Sequence, residues 1–171
     1  MTADVAHAVR GFGENAGMHV SAKADYAVRA AAELAAAGDG PVKGERIAEA
    51  QGIPLKFLEN ILSELRHAGI VQSQRGAEGG YWLARPPDQV TLADVIRVVD
   101  GPLANVRGAF PETVQYAGSA SHLLEVWIAV RVSLRSVLER VTLADLVAGT
   151  LPAEVRDLTE VPDAWVSRAA R

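Results

Sequence analysis

Cysteine is absent from the 171 residues, which excludes a disulfide scaffold, cysteine-type zinc sites and a thiol nucleophile, and fits a reducing compartment. Aromatic residues are scarce, three each of Trp, Tyr and Phe against a hydrophobic content of 49%. Such a core must be built from Ala, Leu and Val, a composition that favours helices over sheets. No apolar run approaches the ~18–20 residues of a membrane span, and residues 1–17 lack the apolar centre of a secretory signal. The expected location is therefore the cytoplasm, with no membrane partner. Positive charge is also short: the net charge is −4, and residues 18–90 carry eight Lys/Arg against nine Asp/Glu. A phosphate-bearing partner would have to be met by where the cations sit rather than by their total. The histidines, His7, His19, His67 and His122, have no metal-ligand spacing. No Ser/His/Asp grouping, Walker loop or dinucleotide fingerprint stands in its required context. Neither an enzyme, a metal site nor a cofactor is expected.

The pattern that is present is helical and ordered. Residues 1–17 have no period and are expected to be a flexible leader, with Met18 as a candidate start of the functional unit. Ser21 suits the cap of a helix over 22–37, with Tyr26, Ala30 and Leu34 on one face and Gly38 as its stop. A short helix is expected over Lys43–Gln51, with Ile47 and Ala48 inward and Gly52 at its end. Pro54 then stands where a helix can begin, because its missing N–H has no partner to lose there. From Leu55 to Ala68 the apolar positions Leu58, Ile61, Leu62 and Leu65 follow an i, i+3, i+4, i+7 series, the signature of a one-sided helix. Two helices joined by a short glycine-containing turn make a helix-turn-helix. Ile70–Gln74, a glycine-rich tip over Arg75–Gly80, and Tyr81–Ala84 read as a hairpin placed as a wing. Thr91-Leu-Ala-Asp94 signals another capped helix, to Val99, and Thr142-Leu-Ala-Asp145 a second one. Between them lie a weakly patterned loop over 101–121 and a longer helix from about Ser121 to Val141. That helix has one stripe of Leu123, Val126, Trp127, Val130, Leu134, Val137 and Val141. The expected fold is mainly α with a small β-hairpin wing. Its parts are a leader (1–17), a winged helix-turn-helix domain (18–100), a sensor-type loop (101–121), a dimerisation helix with a short helix after it (122–148) and a peripheral tail (149–171).

On the second helix of the pair, Lys56, Asn60, Ser63 and His67 lie opposite the apolar series. An amide pairs bidentately with adenine, and a lysine reaches a guanine edge or a phosphate. A recognition helix enters the major groove by its N-terminal part, which favours Lys56 and Asn60 over His67. The alternative is an ordinary solvated face. Phe57 flanks these residues, either to meet a thymine methyl or to cover the core. In the wing, Arg75 and Gly76 precede Gly79 and Gly80; a bare tip would let backbone N–H groups and one arginine approach a phosphate or a minor groove. Ser21 and Lys23 could add backbone contacts from the first helix start, with Tyr26 beside them as either a contact or a core aromatic. The partner so implied is double-stranded DNA; a winged-helix module that binds protein instead is the rival reading.

The run Val20-Ser21-Ala22-Lys23 with Tyr26-Ala27-Val28-Arg29 resembles the opening of the Rrf2 family of bacterial regulators. Ile47-Ala48, Gly52-Ile53, Lys56-Phe57-Leu58-Glu59, Leu65-Arg66 and Ala68-Gly69 continue the resemblance in order. So do Arg75-Gly76-Ala77, Gly79-Gly80-Tyr81, Leu83-Ala84-Arg85-Pro86, Asp100-Gly101-Pro102, Trp127 and Val141-Thr142-Leu143, for a total span of about 18–148. The resemblance implies a homodimer paired through long C-terminal helices, with winged domains on a partly palindromic operator. Many family members hold an iron–sulfur cluster on three loop cysteines; the corresponding places here are near Gly108, around Val114–Gln115 and near Ser121. With no thiolate available, a cluster-free regulator, acting as a repressor, is what the resemblance implies. Its signal would be a small molecule or a partner protein at the 101–121 loop or the dimer face. Analogy with a cysteine-metabolism repressor of the family points to sulfur metabolism. Asp25 stands where a basic or neutral residue is common in the family.

Overall fold

The structure, a computed structural model, describes residues 20–167; the leader, the candidate start at Met18, and His7 and His19 lie outside the described residues. Helix α1 runs from Ala22 to Ala37, and the Ser21 hydroxyl accepts from the Ala24 N–H at its start. Its buried side is Ala24, Ala27, Ala30, Ala31 and Leu34. Four alanines on that side let neighbouring helices approach closely, which is how a chain poor in aromatics fills its interior. Helix α2 (Gly44–Gln51) ends at Gly52, whose φ of 61° is left-handed and costs glycine little. Three residues later α3 (Leu55–His67) begins after Pro54, with Leu58, Ile61, Leu62 and Leu65 fully buried.

Strands β1 (Val71–Gln74) and β2 (Gly80–Leu83) pair antiparallel, with Val71 opposite Leu83 and Gln74 opposite Gly80. The hairpin is anchored to the body by Val42 and Tyr81, whose backbones exchange two hydrogen bonds of 2.8 Å. Helix α4 (Leu92–Asp100) follows, then the long connection, α5 (Leu123–Leu138), α6 (Leu143–Ala148) and α7 (Ala153–Thr159). The core is shared by α1, α2, α3, β1, α4 and α6, with Ile47, Leu62, Val95 and Leu143 at its centre.

Both Thr-Leu-Ala-Asp runs form capping boxes, in which threonine and aspartate reciprocally satisfy backbone N–H groups. They also lie side by side. Thr91 and Thr142 form an antiparallel bridge, Leu92 N–H donates to Val141 O (3.0 Å), and Leu143 N–H donates to Val90 O (2.9 Å). The Asp145 carboxyl is held below its ordinary range by the Thr142 backbone N–H and then by the Thr142 hydroxyl.

This return strap corrects two expectations. The long helix stops at Leu138, because the chain turns through Glu139 and Arg140 into the extended strap. Val141 is consequently not on the α5 stripe but buried inside the protomer. The helix after α5 also belongs to the winged-helix core rather than to a separate C-terminal unit, since Leu143 is fully buried there.

The 101–121 connection contains two single 3-10 turns, Pro111–Thr113 and Gly118–Ala120. Pro111 is buried, and Glu112 reaches the Arg131 guanidinium of α5 at 2.5 Å. Hydrogen bonding from the backbone at Glu112, then Arg131, holds the Glu112 carboxyl below its ordinary range. Among the described residues of the tail, up to 167, most are exposed, and Val155 of α7 is buried. No helix among the described residues is long and apolar enough to cross a membrane.

Candidate nucleic-acid interface

The apolar series of α3 is locked against α1, α2 and α4, so the opposite side of the helix must face outward. Lys56 and Asn60 are exposed there, and no hydrogen bond or ion pair to another described residue engages either side chain. Ser63, one turn further on, is half-buried, and His67 is exposed at the helix end. The face therefore presents, from its N-terminal turn, an ammonium and then a carboxamide, both free to meet a ligand. This is the donor and acceptor set that reads base edges in a major groove.

Phe57 packs against α1 and also keeps an open surface. Its ring meets Tyr26 edge-to-face, with centroids 6.1 Å apart and planes at 84°, while half of its surface stays exposed. Tyr26 is half-buried and carries the Arg29 guanidinium 5.5 Å from its ring centre. Arg29 also donates Nε to Gln51 Oε1 (3.0 Å), Nη2 to the Gln51 carbonyl and Nη1 to Asp25 (3.0 Å). Gln51 in turn donates to Glu33 at 2.5 Å. Asp25 thus orients the arginine that joins α1 to the end of α2.

Two residues at the start of α1 are engaged within the protomer. Lys23 Nζ donates to Glu64 Oε2 at 2.8 Å and to Val99 O at 3.2 Å. Ser21 Oγ donates to Asp100 Oδ1 at 2.8 Å while accepting from the α1 backbone. Both groups brace α1 against α3 and α4 instead of standing free for phosphate.

The wing is also built differently from the sequence expectation. Arg75, Gly76, Ala77 and Glu78 form its exposed tip, and the Arg75 side chain has no hydrogen-bonding or charged partner among the described residues. Gly79 and Gly80, in contrast, are buried. A Cβ at Gly79 would lie 2.1 Å from Gln74 O, and one at Gly80 would lie 2.6 Å from Val42 O. Gly79 lets the hairpin close on its own backbone and Gly80 lets it dock on the backbone of Val42, so neither serves to bare the tip. Gly76 has open space around it and a φ of 106°.

Sequence reasoning missed Lys43 and Arg46. Lys43 Nζ donates to Gly76 O at 2.9 Å and so holds the wing tip to the start of α2. Arg46 is exposed on α2 without an ion-pair partner among the described residues. Thirty-three positions separate Lys43 from Gly76, and no local pattern marks a contact between a turn lysine and a distant carbonyl. Lys43, Arg46, Lys56 and Arg75 supply cations around the helix-turn-helix and its wing within a chain whose total is acidic. Glu45, Glu49, Glu59 and Glu78 are exposed on the same elements, so the face is mixed in charge and any phosphate contact falls to individual cations.

The family model described as Rrf2, iron-dependent transcriptional regulator, matches residues 20–149. A helix-turn-helix regulator of Mycobacterium tuberculosis strain H37Rv is 51% identical over 144 residues, covering 84% of this chain and 89% of that protein. The solved structure of CymR, the global cysteine regulator of Bacillus subtilis, superimposes with a TM-score of 0.66 at 37% identity, over 77% of this chain and 98% of that one. An IscR structure from T. potens gives 0.62 at 35% identity, over 90% and 95%. The iron in the family description does not fit this chain: Gly108, Val114, Gln115 and Ser121 offer no thiolate where a cluster would need one. Among the described residues no three His, Cys, Asp or Glu side chains converge for a metal. The chain belongs to the Rrf2 family of DNA-binding transcriptional regulators, as a member without the cysteines that would ligate a cluster.

Proposed function

We propose that the protein acts as a homodimeric repressor that sets two copies of α3 into successive major grooves of a partly palindromic operator, with the wing tip at the adjoining backbone or minor groove. The observation that carries this reading is the outward face of α3, where Lys56 and Asn60 are exposed and free of partners while the opposite face is fully buried. Asn60 reads a base, Lys56 meets a guanine or a phosphate, Phe57 offers its open edge to a thymine methyl, and Arg75 meets phosphate. Ser63 lies at the margin of this set. Ser21, Lys23 and Tyr26 position the recognition helix, and Gly76, Gly79 and Gly80 shape the wing.

The second copy is inferred from α5. Eleven of its sixteen residues are apolar, yet none is buried in the protomer. Val126 and Val132 are 51% and 56% exposed. A helix with that composition and so little cover is stabilised by a partner surface. The proposed seam uses Val126, Val130, Leu134 and Val137, flanked by the half-buried Leu123 and Trp127. The protein works in the cytoplasm, and its likeness to CymR supports a role in sulfur metabolism.

The test is footprinting of the purified protein on the DNA flanking its own gene, with transcription of a reporter measured from the same fragment. Two protected half-sites with centres about 34–36 Å apart along the duplex, with reporter output lowered by the protein, are expected. Protection of one half-site with monomer stoichiometry, or raised output, would contradict the dimeric repressor.

A further inference from the structure

A cavity of about 420 Å³ lies between the first turn of α1, the end of α4, the residues just after α4 and the last turns of α5. Its volume is in the range of small-molecule sites. Val20, Ala24, Ile96, Leu103 and Leu138 make its walls aliphatic, and Leu134, a residue of the proposed seam, borders it on the side of the second copy. Polar groups are few. Asp100 is the one charged side chain in the lining, and Asn105 the one carboxamide. Asp100 Oδ1 accepts from Ser21, and Asp100 forms no salt bridge among the described residues. Asn105 uses its Nδ2 on Pro102 O. What these two side chains leave open is acceptor capacity, a carboxylate oxygen and an amide oxygen. The carbonyl end of the α4 dipole adds negative potential at the same place.

We propose that this cavity is an effector site for a small aliphatic amine. The alkyl body fills the apolar walls, and the ammonium donates to Asp100 and Asn105. The proposal rests on the DNA-binding reading and adds its control.

A chain of contacts leads from the cavity to the recognition helix. Asp100 is bound to Ser21, which caps α1. Two residues on, Lys23 joins Val99 O, at the end of α4, to Glu64 of α3. Glu64 lies one helical turn from Asn60. An ammonium that draws Asp100 away from Ser21, or an alkyl body that parts α1 from α4, acts on the lysine that holds α3. Ligand and operator are then coupled, and each alters the affinity of the other by the same factor.

The experiment titrates n-hexylamine into the full-length protein by calorimetry, with n-hexanol and hexanoate as controls. Operator affinity is measured in parallel by fluorescence anisotropy, first without amine and then with it. Hexylamine is expected to bind, hexanoate not to bind, and the operator Kd to change by about fivefold or more. Asp100→Asn keeps an acceptor for Ser21 but removes the charge, and should weaken hexylamine by about tenfold. Leu103→Trp, which fills the cavity from the loop, should abolish hexylamine binding. If operator binding without amine is absent, the DNA-contact reading fails. If the operator binds but hexylamine does not, or binds equally to Asp100→Asn, the cavity proposal alone is overturned. Hexylamine that binds only as the dimer dissociates would overturn it too, because the cavity is then covered by a second copy.

Discussion

The Nζ of Lys23 lies 2.8 Å from Oε2 of Glu64, so the cation at the start of α1 is bound to the recognition helix and not held out toward DNA. Both side chains keep about a third of their surface in water, which limits the pair to about 0.2–1 kcal/mol. Lys23→Met should lower stability by that amount in urea unfolding. It should also leave the slope of log K against log salt for the operator unchanged. A direct phosphate contact would instead cut the slope by about 0.9 per protomer.

Lys43 acts on the other side of the interface. Its bond to Gly76 O fixes the tip on which Arg75 stands, so Lys43→Ala should weaken operator binding through the wing. Combined with Arg75→Ala, the loss should be smaller than the sum of the two single losses, because both act on one element. Full additivity in binding titrations would show that Lys43 works independently of the wing.

The glycines of the wing separate by the same logic of position. Gly79→Ala places a methyl group 2.1 Å from a backbone oxygen, and should cost about 1–3 kcal/mol of folding stability. Gly76→Ala meets no atom within 4 Å and should cost about 1 kcal/mol, the penalty of its left-handed backbone alone. Thermal and urea unfolding of the two variants distinguish them. Equal losses would mean that the hairpin relaxes around Gly79.

The limits of α1 to α4, the buried α3 series, both threonine caps and the hairpin were legible in the sequence, because each rests on local chemistry or on a short-range period. Helix α1 has the expected bounds, and Leu58, Ile61, Leu62 and Leu65 are the buried face expected of them. What the sequence hid is tertiary. Val141 continues the apolar period of α5, yet the chain has already turned into the strap beside Thr91, where a buried valine serves the core of another element. Lys23 has the composition of a phosphate contact, but Glu64 and Val99 lie forty-one and seventy-six positions away and claim it first. Gly79 and Gly80 look like an exposed turn until the close approach of Gln74 and Val42 is seen.

The proposed dimer seam is tested at Val126, which is exposed in the protomer. Val126→Asp should leave the isolated fold largely intact, since half of the Val126 surface is open in the protomer. Placed in the seam, the same carboxylate would be buried without a partner, and the protein should sediment as a folded monomer. A stable dimer of Val126→Asp would place the interface elsewhere.

The most direct test of the central claim is the operator affinity of Asn60→Ala and Arg75→Ala as a function of salt, on the native site and on sites altered at single base pairs. Asn60→Ala should lose about 1–3 kcal/mol per lost bidentate contact and become indifferent to one position in each half-site. Arg75→Ala should weaken all sites alike and flatten the salt slope by about 0.9 per phosphate contact, doubled in a symmetric dimer. Wild-type affinity and unchanged sequence preference in both variants, with folding intact, would contradict the assignment of α3 and the wing as the DNA-reading face.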